Sequence, residues 1–275
     1  MMYTDFEYAN RRLSDFGCII CSINGNSGDY ELDIGCDITF AEVKNNHSSI
    51  HSKTSSSYDN VYTTTFDIIK YNCNSDDDMF MTSLEARNIV KWLNRRNSYH
   101  KFRLINDISD ESNVHYYGSF NVKQRMFGDK ILGLTLTFKS NAPYGFADVV
   151  RNKFMMLNPS ETITLYGDSD EYGLIYPKIE IRCFSDSNDV LEITNQTTGT
   201  TLHIDGCTSG ETITLDGEHK IILSDKREQS IIANAFNYEY LDILVDEYET
   251  ENIYSSTLPC ELTISYLPIR KVGVI

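Results

Sequence analysis

The chain has 275 residues and carries 24 Lys and Arg side chains against 40 Asp and Glu side chains, a formal net charge of −16. A nucleic-acid-binding surface needs a local excess of basic side chains, so this balance argues against ordinary nucleic-acid binding. The sequence shows neither an export signal nor an apolar run long enough to span a membrane, and its seven scattered cysteines are typical of reduced thiols made in a cytoplasm.

The composition predicts two domains. The length is typical of two folding units, and the charge is divided unevenly between them. Residues 1–148 hold 15 basic and 19 acidic side chains (net −4), whereas residues 149–275 hold 9 and 21 (net −12). A turn-forming stretch, residues 141–145, directly follows a predicted strand. We therefore expect domains at 1–147 and 148–275.

The first candidate motif is the Cys-x-x-Cys pair Cys18 and Cys21. It lies in an apolar, strand-like run, whereas redox pairs of this kind normally open a helix, where the dipole lowers the thiol pKa. A zinc site would need a second such pair, and the other five cysteines are solitary in the sequence. The pattern favours core cysteines, with no metal and no cofactor.

The segment 44–60 is rich in Ser, Asn and Thr, and Ile50 and Tyr58 are its only large apolar residues. Such a segment cannot fold on its own burial energy. Two interpretations stay open, a mobile surface loop and an arm ordered against a neighbouring subunit. His47 and His51 lie four apart within it, without the Glu of a metalloprotease motif, and are expected to face solvent.

Most of the remaining first domain is predicted as strand, at residues 61–69, 101–105, 117–122 and 131–138. In the last of these, Leu132, Leu134, Leu136 and Phe138 alternate with smaller residues, the period of two that indicates a strand with one buried face.

One helix is predicted, from Leu84 to Arg96. Thr82 and Glu85 have the spacing of a capping box. The apolar stripe consists of Ala86, Ile89, Val90 and Leu93, and Arg95 and Arg96 fall in the expected last turn, where the helix dipole favours cations. Trp92 lies beside this stripe and is expected to be a packing anchor.

The second domain is predicted to be a β-sandwich, because seven short strands with turn signals between most of them follow one another after residue 176. Before them, Asp168 and Asp170 begin a partial match to an EF-hand loop. The twelfth position is Ile179 instead of the bidentate Glu, so the match fails, and only a weaker calcium site stays open.

Motifs for catalysis are lacking: the chain contains no GxSxG, no Walker loop and no HExxH. A glycosidase pair of carboxylates stays open, since a sequence gives no distances. Sugar binding by Tyr residues of the second domain also stays open, although residues 149–275 contain no Trp.

Five blocks in the middle of the chain carry a resemblance to a known family. In order they are YDNVYTTTFDIIKYNC, an acidic spacer, EARNIVKWLNRRNSYHKFRLI, YYGSFNV and GLTLTFKSNAPYG, all within residues 58–146. In these blocks the chain resembles the distal tail proteins of long-tailed bacteriophages and prophages of Gram-positive bacteria. The segment from YPKIEI to ISYLP looks like the second domain of that family.

The resemblance implies a mainly β protein with two β-sandwich domains, the first similar to a tail-tube protein with one flanking helix and the second galectin-like. It also implies a non-enzymatic protein of the virion tail, made in the host bacterial cytoplasm. Six copies would form a ring that joins the tail tube to the tail tip or baseplate and lets DNA pass. The expected partners are copies of the chain and neighbouring tail proteins, with no membrane and no sequence-specific nucleic acid.

The same resemblance places the subunit interface in the first domain. The candidate interface residues are Lys44, Lys53, Tyr58, Tyr62, Arg95 and Arg96. Since like charges repel, the net charge of −12 on residues 149–275 also argues against a ring held mainly by the second domain. The alternatives are a tail-associated enzyme that cleaves polysaccharide or peptidoglycan, and a carbohydrate-binding module.

Overall fold

A computed structural model describes residues 4–21, 38–44, 51–58, 60–71, 79–105, 114–159, 161–184, 186–247 and 250–271. The chain divides into two compact units, Met1–Ala147 with Arg270–Ile275, and Asp148–Ile269. This division differs from the sequence-based one at its end, because Arg270–Ile275 groups with the first unit and not with the second. The mainly β class predicted from the sequence is confirmed.

The described part of the first unit consists of strands, with one 3₁₀ turn and one helix between them. The strands are β1 (Asp5–Tyr8), β2 (Arg11–Arg12), β3 (Cys18–Cys21), β4 (Ile38–Lys44), β5 (His51–Tyr58), β6 (Thr63–Lys70), β7 (His100–Ile105), β8 (Tyr116–Phe127), β9 (Lys130–Ser140) and β10 (Gly145–Phe146). A 3₁₀ turn spans Leu13–Phe16, and the helix α1 spans Ser83–Leu93 between β6 and β7.

Seven of these strands form one antiparallel sheet in the order β2-β1-β7-β8-β9-β6-β3. The strand β3, at one end of this sheet, comes close to β1, near the other end. The Ile20 amide in β3 donates a hydrogen bond of 2.9 Å to the Thr4 carbonyl just before β1. Aromatic residues, among them Phe6, Phe102 and Phe138, fill the interior.

The alternation predicted for 131–138 holds except at its start. Leu134, Leu136 and Phe138 are buried, but so is Ile131, whereas Leu132 is only partly buried. The ladder with β8 passes from Arg125–Gly133 to Met126–Ile131, so Leu132 is the extra residue of a β-bulge. A bulge shifts the alternation by one residue, and the sequence pattern does not reveal it.

The helix α1 begins where it was predicted to begin. The Thr82 hydroxyl accepts a hydrogen bond of 3.2 Å from the Glu85 amide, and the Glu85 carboxylate accepts one of 2.7 Å from the Thr82 amide. The predicted end at Arg96 is wrong, because the backbone leaves the helix at Asn94, with φ −86° and ψ 85°. Asn competes with helical geometry through its own side-chain hydrogen bonds, so helix ends suit it.

The second unit contains the strands β11 (Val150–Met156), β12 (Thr162–Tyr166), β13 (Gly173–Ile175), β14 (Lys178–Cys183), β15 (Ser187–Asn195), β16 (Thr200–Cys207), β17 (Thr212–Asp216), β18 (Ile221–Ser224), β19 (Ile243–Val245), β20 (Glu251–Ser256) and β21 (Cys260–Tyr266). A short helix, α2 (Gln229–Asn234), follows β18. The last strand is β22 (Ile269–Arg270), at the point where the chain passes from the second unit to the final residues of the first.

Two sheets dominate this second unit, β11-β21-β14-β17-β18 and β12-β20-β15-β16. Their inward residues, including Ile181, Ile193, Leu202 and Leu262, form one apolar core. The strands β14 to β19 and β21 correspond to the seven predicted ones, whereas β11, β12, β13 and β20 were not predicted from the sequence.

Candidate subunit interface

A two-stranded antiparallel hairpin, residues 38–44 and 51–58, is the most distinctive surface of the first unit. Ile38 lies opposite Tyr58, and Lys44 lies opposite His51. Within the described residues, β4 and β5 have only each other as ladder partners and do not join the seven-stranded sheet. Neither strand is therefore held by the main sheet of its own unit.

One face of the hairpin presents apolar side chains to solvent. Ile38 is 50% exposed and Phe40 is 49% exposed. Residues two apart on a strand point to the same side, so the two side chains form a single patch. The opposite strand contributes exposed hydroxyls, from Ser55 to Ser57. Neither apolar residue was predicted from the sequence, although the alternation in ITFAEVK could have indicated a strand with both of them on one face.

Of the two interpretations that stay open for residues 44–60, the loop is wrong for residues 51–58, which form a strand, and the arm ordered against a neighbouring subunit stays a prediction. The ladder with β4 supplies backbone hydrogen bonds to this strand without a core of its own. His51 belongs to this strand, whereas His47 and the rest of 45–50 lie outside the described residues.

Three of the six predicted interface residues share the hairpin. Lys44 is the last residue of β4, and Lys53 lies in β5 opposite Glu42. Tyr58 ends β5, where its ring meets the ring of Tyr144 edge to face at 6.0 Å between centroids.

Tyr62 occupies a different environment. It is 5% exposed and stacks on Tyr116 with 4.3 Å between ring centroids. Its side chain is used inside its own unit, so we leave it out of the candidate surface.

Arg95 and Arg96 follow the end of α1 and are exposed. Arg95 Nε donates a hydrogen bond of 3.0 Å to the carbonyl of Trp92, one of the last carbonyls of the helix. The guanidinium therefore stabilises the helix end although it lies beyond the helix itself. The pKa of the nearby Tyr8 phenol is raised by burial, an effect that the positive charge of Arg95 partly opposes.

Trp92 belongs to the buried stripe of α1. The sequence pattern assigned Val90 to this stripe instead, but Val90 is only partly buried. Trp92 is 3% exposed, and its Nε1 donates a hydrogen bond of 2.9 Å to the Tyr8 carbonyl. Its ring stacks on Phe6 at 5.5 Å and on Phe16 at 4.7 Å. Trp92 thus ties α1 to β1 and to the 3₁₀ turn.

The cysteine pair of β3 has none of the features of a reactive site. Burial raises the pKa of the Cys18 and Cys21 thiols to about 11. A reactive thiol has a lowered pKa instead.

The fold also brings together cysteines that are far apart in the sequence. Cys183 lies opposite Cys260 on adjacent strands, and a hydrogen bond with Cys207, together with burial, raises the pKa of the Cys183 thiol. All three are buried. Among the described residues, no group of three or more His, Cys, Asp and Glu side chains is arranged to hold a metal ion.

Neither helix in the described part of the chain is long and apolar enough to cross a membrane.

Comparison with known proteins identifies the class to which this fold belongs. Residues 1–142 match the family described as phage tail protein N-terminal domain, and residues 144–266 match phage tail C-terminal domain. The chain therefore belongs to this family of phage tail proteins. No curated protein sequence matches it.

Comparison with solved structures shows the same fold in another phage protein. The chain is similar in fold to the Dit (gp 19.1) protein of phage SPP1, which is described as a paradigm of the hub adsorption apparatus in phages that infect Gram-positive bacteria. The TM-score is 0.65 at 13% identity, over 97% of this chain and 99% of Dit. A chain of the phage P2 baseplate, in its Ca-activated conformation, gives a TM-score of 0.47 at 9% identity, over 99% and 100% of the two chains.

Proposed function

We propose that this phage tail protein is the subunit of a ring at the distal end of the tail, where six copies join the tail tube to the tip or baseplate. The observation that carries the proposal is the hairpin of residues 38–44 and 51–58, on which Ile38 is 50% exposed and Phe40 is 49% exposed. The Dit-like fold of the whole chain supports the place at the distal tail.

The physical argument starts from the hairpin's stability. An isolated two-stranded hairpin is marginally stable in water. A neighbouring subunit can stabilise it by covering the exposed side chains of Ile38 and Phe40. Lys44, Lys53 and Tyr58 lie on the same hairpin and would contribute to the contact.

Charge supports the same arrangement. A net charge of −16 keeps the protein from adhering to DNA that passes through a ring channel. Because residues 149–275 carry −12 and residues 1–148 only −4, adjacent copies repel least through the first unit. We therefore assign the ring contact to the first unit, with Arg96 facing acidic groups of a neighbour and Arg95 held at the end of α1 by its hydrogen bond to the Trp92 carbonyl.

The proposal assigns the protein a structural and not a catalytic role, at the virion tail. The galectin-like second domain would lie on the outside of the ring, and the first would have the tail-tube-like sandwich implied by the resemblance. Carbohydrate binding by the second unit is the second candidate, favoured by the exposed rings of Tyr172, Tyr176 and Tyr238. Binding of the full-length protein to a glycan array, lost when these tyrosines become alanine, would support it.

The ring proposal is tested by placing a charge on the hairpin patch. In Ile38→Asp/Phe40→Asp we expect loss of rings in negative-stain electron microscopy, both for purified protein and for tails assembled from the variant. The matched control is Leu174→Asp, which charges a comparably exposed apolar residue, 47% exposed, in the second unit. This control should assemble as the unmodified protein does.

Melting curves separate a lost contact from a lost fold. Because the patch is solvent-exposed in the single chain, the hairpin variant should keep the melting temperature of the dissociated protein. Rings that survive both hairpin substitutions, or rings lost only in the control, would show that assembly does not use this surface.

A further inference from the structure

A second surface of the first unit is a groove beside α1 with a volume of about 320 Å³. We call it the basic groove and define it by the residues that line it, which are Arg11, Phe16, Asn88, Lys91, Trp92 and Arg95. It shares no residue with the hairpin, so a partner bound there would be an addition to the proposed ring contact.

Aromatic rings form the base of the basic groove. The Phe16 and Trp92 rings are stacked with 4.7 Å between their centroids, and the Arg11 guanidinium lies 4.4 Å from the centroid of Phe16. The cation–π contact holds Arg11 over the ring. Hydrogen bonding of Arg95 Nε to the Trp92 carbonyl similarly fixes that side chain. Two guanidinium groups are thereby held at the groove before any ligand arrives.

The groove is positively charged in a chain that is otherwise acidic. Among the described residues that line it, Arg11, Lys91 and Arg95 are basic, and none is Asp or Glu. Arg11, Lys91 and Arg95 form no ion pair with any described residue. Lys70 and Arg103 of the same unit are paired instead, in Lys70–Glu85 at 3.0 Å and Arg103–Glu7 at 3.4 Å. Three like charges around one cavity repel one another, and an anionic ligand would relieve that repulsion.

We propose that the basic groove binds a carboxylate-rich segment of a partner protein. Arg guanidinium groups match carboxylates with paired hydrogen bonds, and Lys91 adds a mobile point charge. Asn88 supplies an amide for the backbone of the segment, and the Phe16–Trp92 base accommodates its methylene groups. The volume suits a few residues of extended peptide and not a folded domain.

The surrounding charge favours a short acidic segment over a nucleic acid. At physiological salt, charges interact over about 8 Å, so a short segment experiences mainly the three groove cations. A longer polyanion would extend beyond the groove onto the surface of a chain with net charge −16. This inference does not depend on ring formation, since the groove is complete within one chain.

The single tryptophan makes the test direct, because all tryptophan emission of the protein comes from Trp92 at the base of the groove. The full-length protein is titrated with a hexaglutamate peptide while this emission is followed, and calorimetry confirms the stoichiometry. We expect one peptide per chain, with an affinity that falls as salt is raised from 50 to about 200 mM.

The variant Arg11→Gln/Lys91→Gln/Arg95→Gln should bind the peptide about tenfold more weakly, since each exposed charge pair is worth about 0.5 kcal/mol. Because Arg11 and Arg95 also contact neighbouring side chains, Lys91→Glu serves as a second variant. Lys91 is exposed and makes no side-chain hydrogen bond to a described residue, so this single reversal should weaken binding while the melting temperature falls by only a few degrees, the effect of an acidic side chain in the last turn of α1.

The matched control removes three cations outside the groove, in Arg87→Gln/Lys123→Gln/Lys139→Gln. All three are exposed in the first unit, and none lines the groove. We expect binding within about twofold of the unmodified protein. Equal losses of peptide affinity in the control and groove variants would show that binding depends only on net charge, and would overturn the proposal.

Two further results would also overturn it. The first is no peptide binding at millimolar concentration in low salt. The second is a hexathymidylate oligonucleotide that binds more tightly than hexaglutamate and depends on Lys91 in the same way, which would assign the groove to nucleic acid.

Discussion

Replacing Trp92 with alanine should destabilise the first unit selectively. The side chain is 3% exposed, it stacks on Phe6 and Phe16, and it donates a hydrogen bond to the Tyr8 carbonyl. Removing it empties the contact between α1 and β1, which the rest of the helix cannot refill, because Ile89 and Leu93 are already packed in the core.

The size of the effect follows from the area and the hydrogen bond. A buried Trp removes about 200 Å² from water, which is worth about 5 kcal/mol at about 25 cal/mol per Å². Residual burial in the unfolded chain reduces this to about 3.5 kcal/mol. Loss of the donor to the Tyr8 carbonyl adds about 1 kcal/mol. We expect the free energy of unfolding of the first unit to fall by about 4 to 5 kcal/mol, within the range typical of Trp→Ala.

The assay is guanidinium unfolding of the full-length protein followed by far-ultraviolet circular dichroism, with calorimetry to separate the transitions of the two units. Trp92→Phe is the matched control, because it keeps an aromatic ring against Phe6 and loses only the hydrogen bond and part of the area. It should cost about 1 to 2 kcal/mol. Leu202→Ala, at a fully buried position of the second unit, should lower the other transition instead.

A loss below about 1 kcal/mol for Trp92→Ala would refute the packing argument. If both transitions fell together, the two units would share one cooperative core, and the proposed domains 1–147 and 148–275 would have to be abandoned.

Three further predictions concern single interactions. Thr82→Ala removes the capping box and should cost the first unit about 1 kcal/mol in chemical denaturation, and an unchanged midpoint would contradict it. Glu211 is fully buried and accepts a hydrogen bond of 2.6 Å from Arg227 Nε, so Glu211→Gln should cost the second unit about 3 kcal/mol or more, and a loss under 1 kcal/mol would be inconsistent with a buried ion pair. Burial raises the pKa of Cys18 and Cys260 from about 9 to about 11, so their protonated forms stabilise the fold fully below pH 9, and this contribution is lost between pH 9 and 11. Melting temperatures across that window should fall less steeply for Cys18→Ala/Cys260→Ala, and identical slopes would argue against the shift.

The elements that the sequence predicts correctly are those whose signals are local. The capping box of Thr82 and Glu85 places the start of α1, because both partners lie within one turn. The end of the helix was placed three residues too far, since no Gly or Pro follows Leu93 and the basic residues there suit a final turn equally well. Arg95 lies beyond the helix and stabilises its end by donating a hydrogen bond to the Trp92 carbonyl. The spacing of residues alone does not show whether such an Arg lies inside the last turn or just after it.

Non-local features escaped the sequence analysis for a different reason. Cys183, Cys207 and Cys260 are solitary in the sequence and meet only because their strands bring them to one region of the second core. The basic groove likewise joins Arg11 to Lys91 and Arg95, which are about eighty residues further along the chain. Which distant residues meet depends on strand order, and strand order is not readable from a pattern of alternation.

The hairpin shows how an open interpretation can indicate function. Residues 44–60 contain almost nothing to bury, and in the structure Ile38 and Phe40, on the strand that pairs with residues 51–58, are half exposed. Backbone pairing gives the segment its strand geometry, but burial must come from elsewhere, because two strands alone are only marginally stable. If a neighbouring copy supplies that burial, folding of the hairpin and assembly of the ring are one coupled equilibrium. Substitutions at Ile38 and Phe40 would then change assembly far more than they change the stability of the two cores.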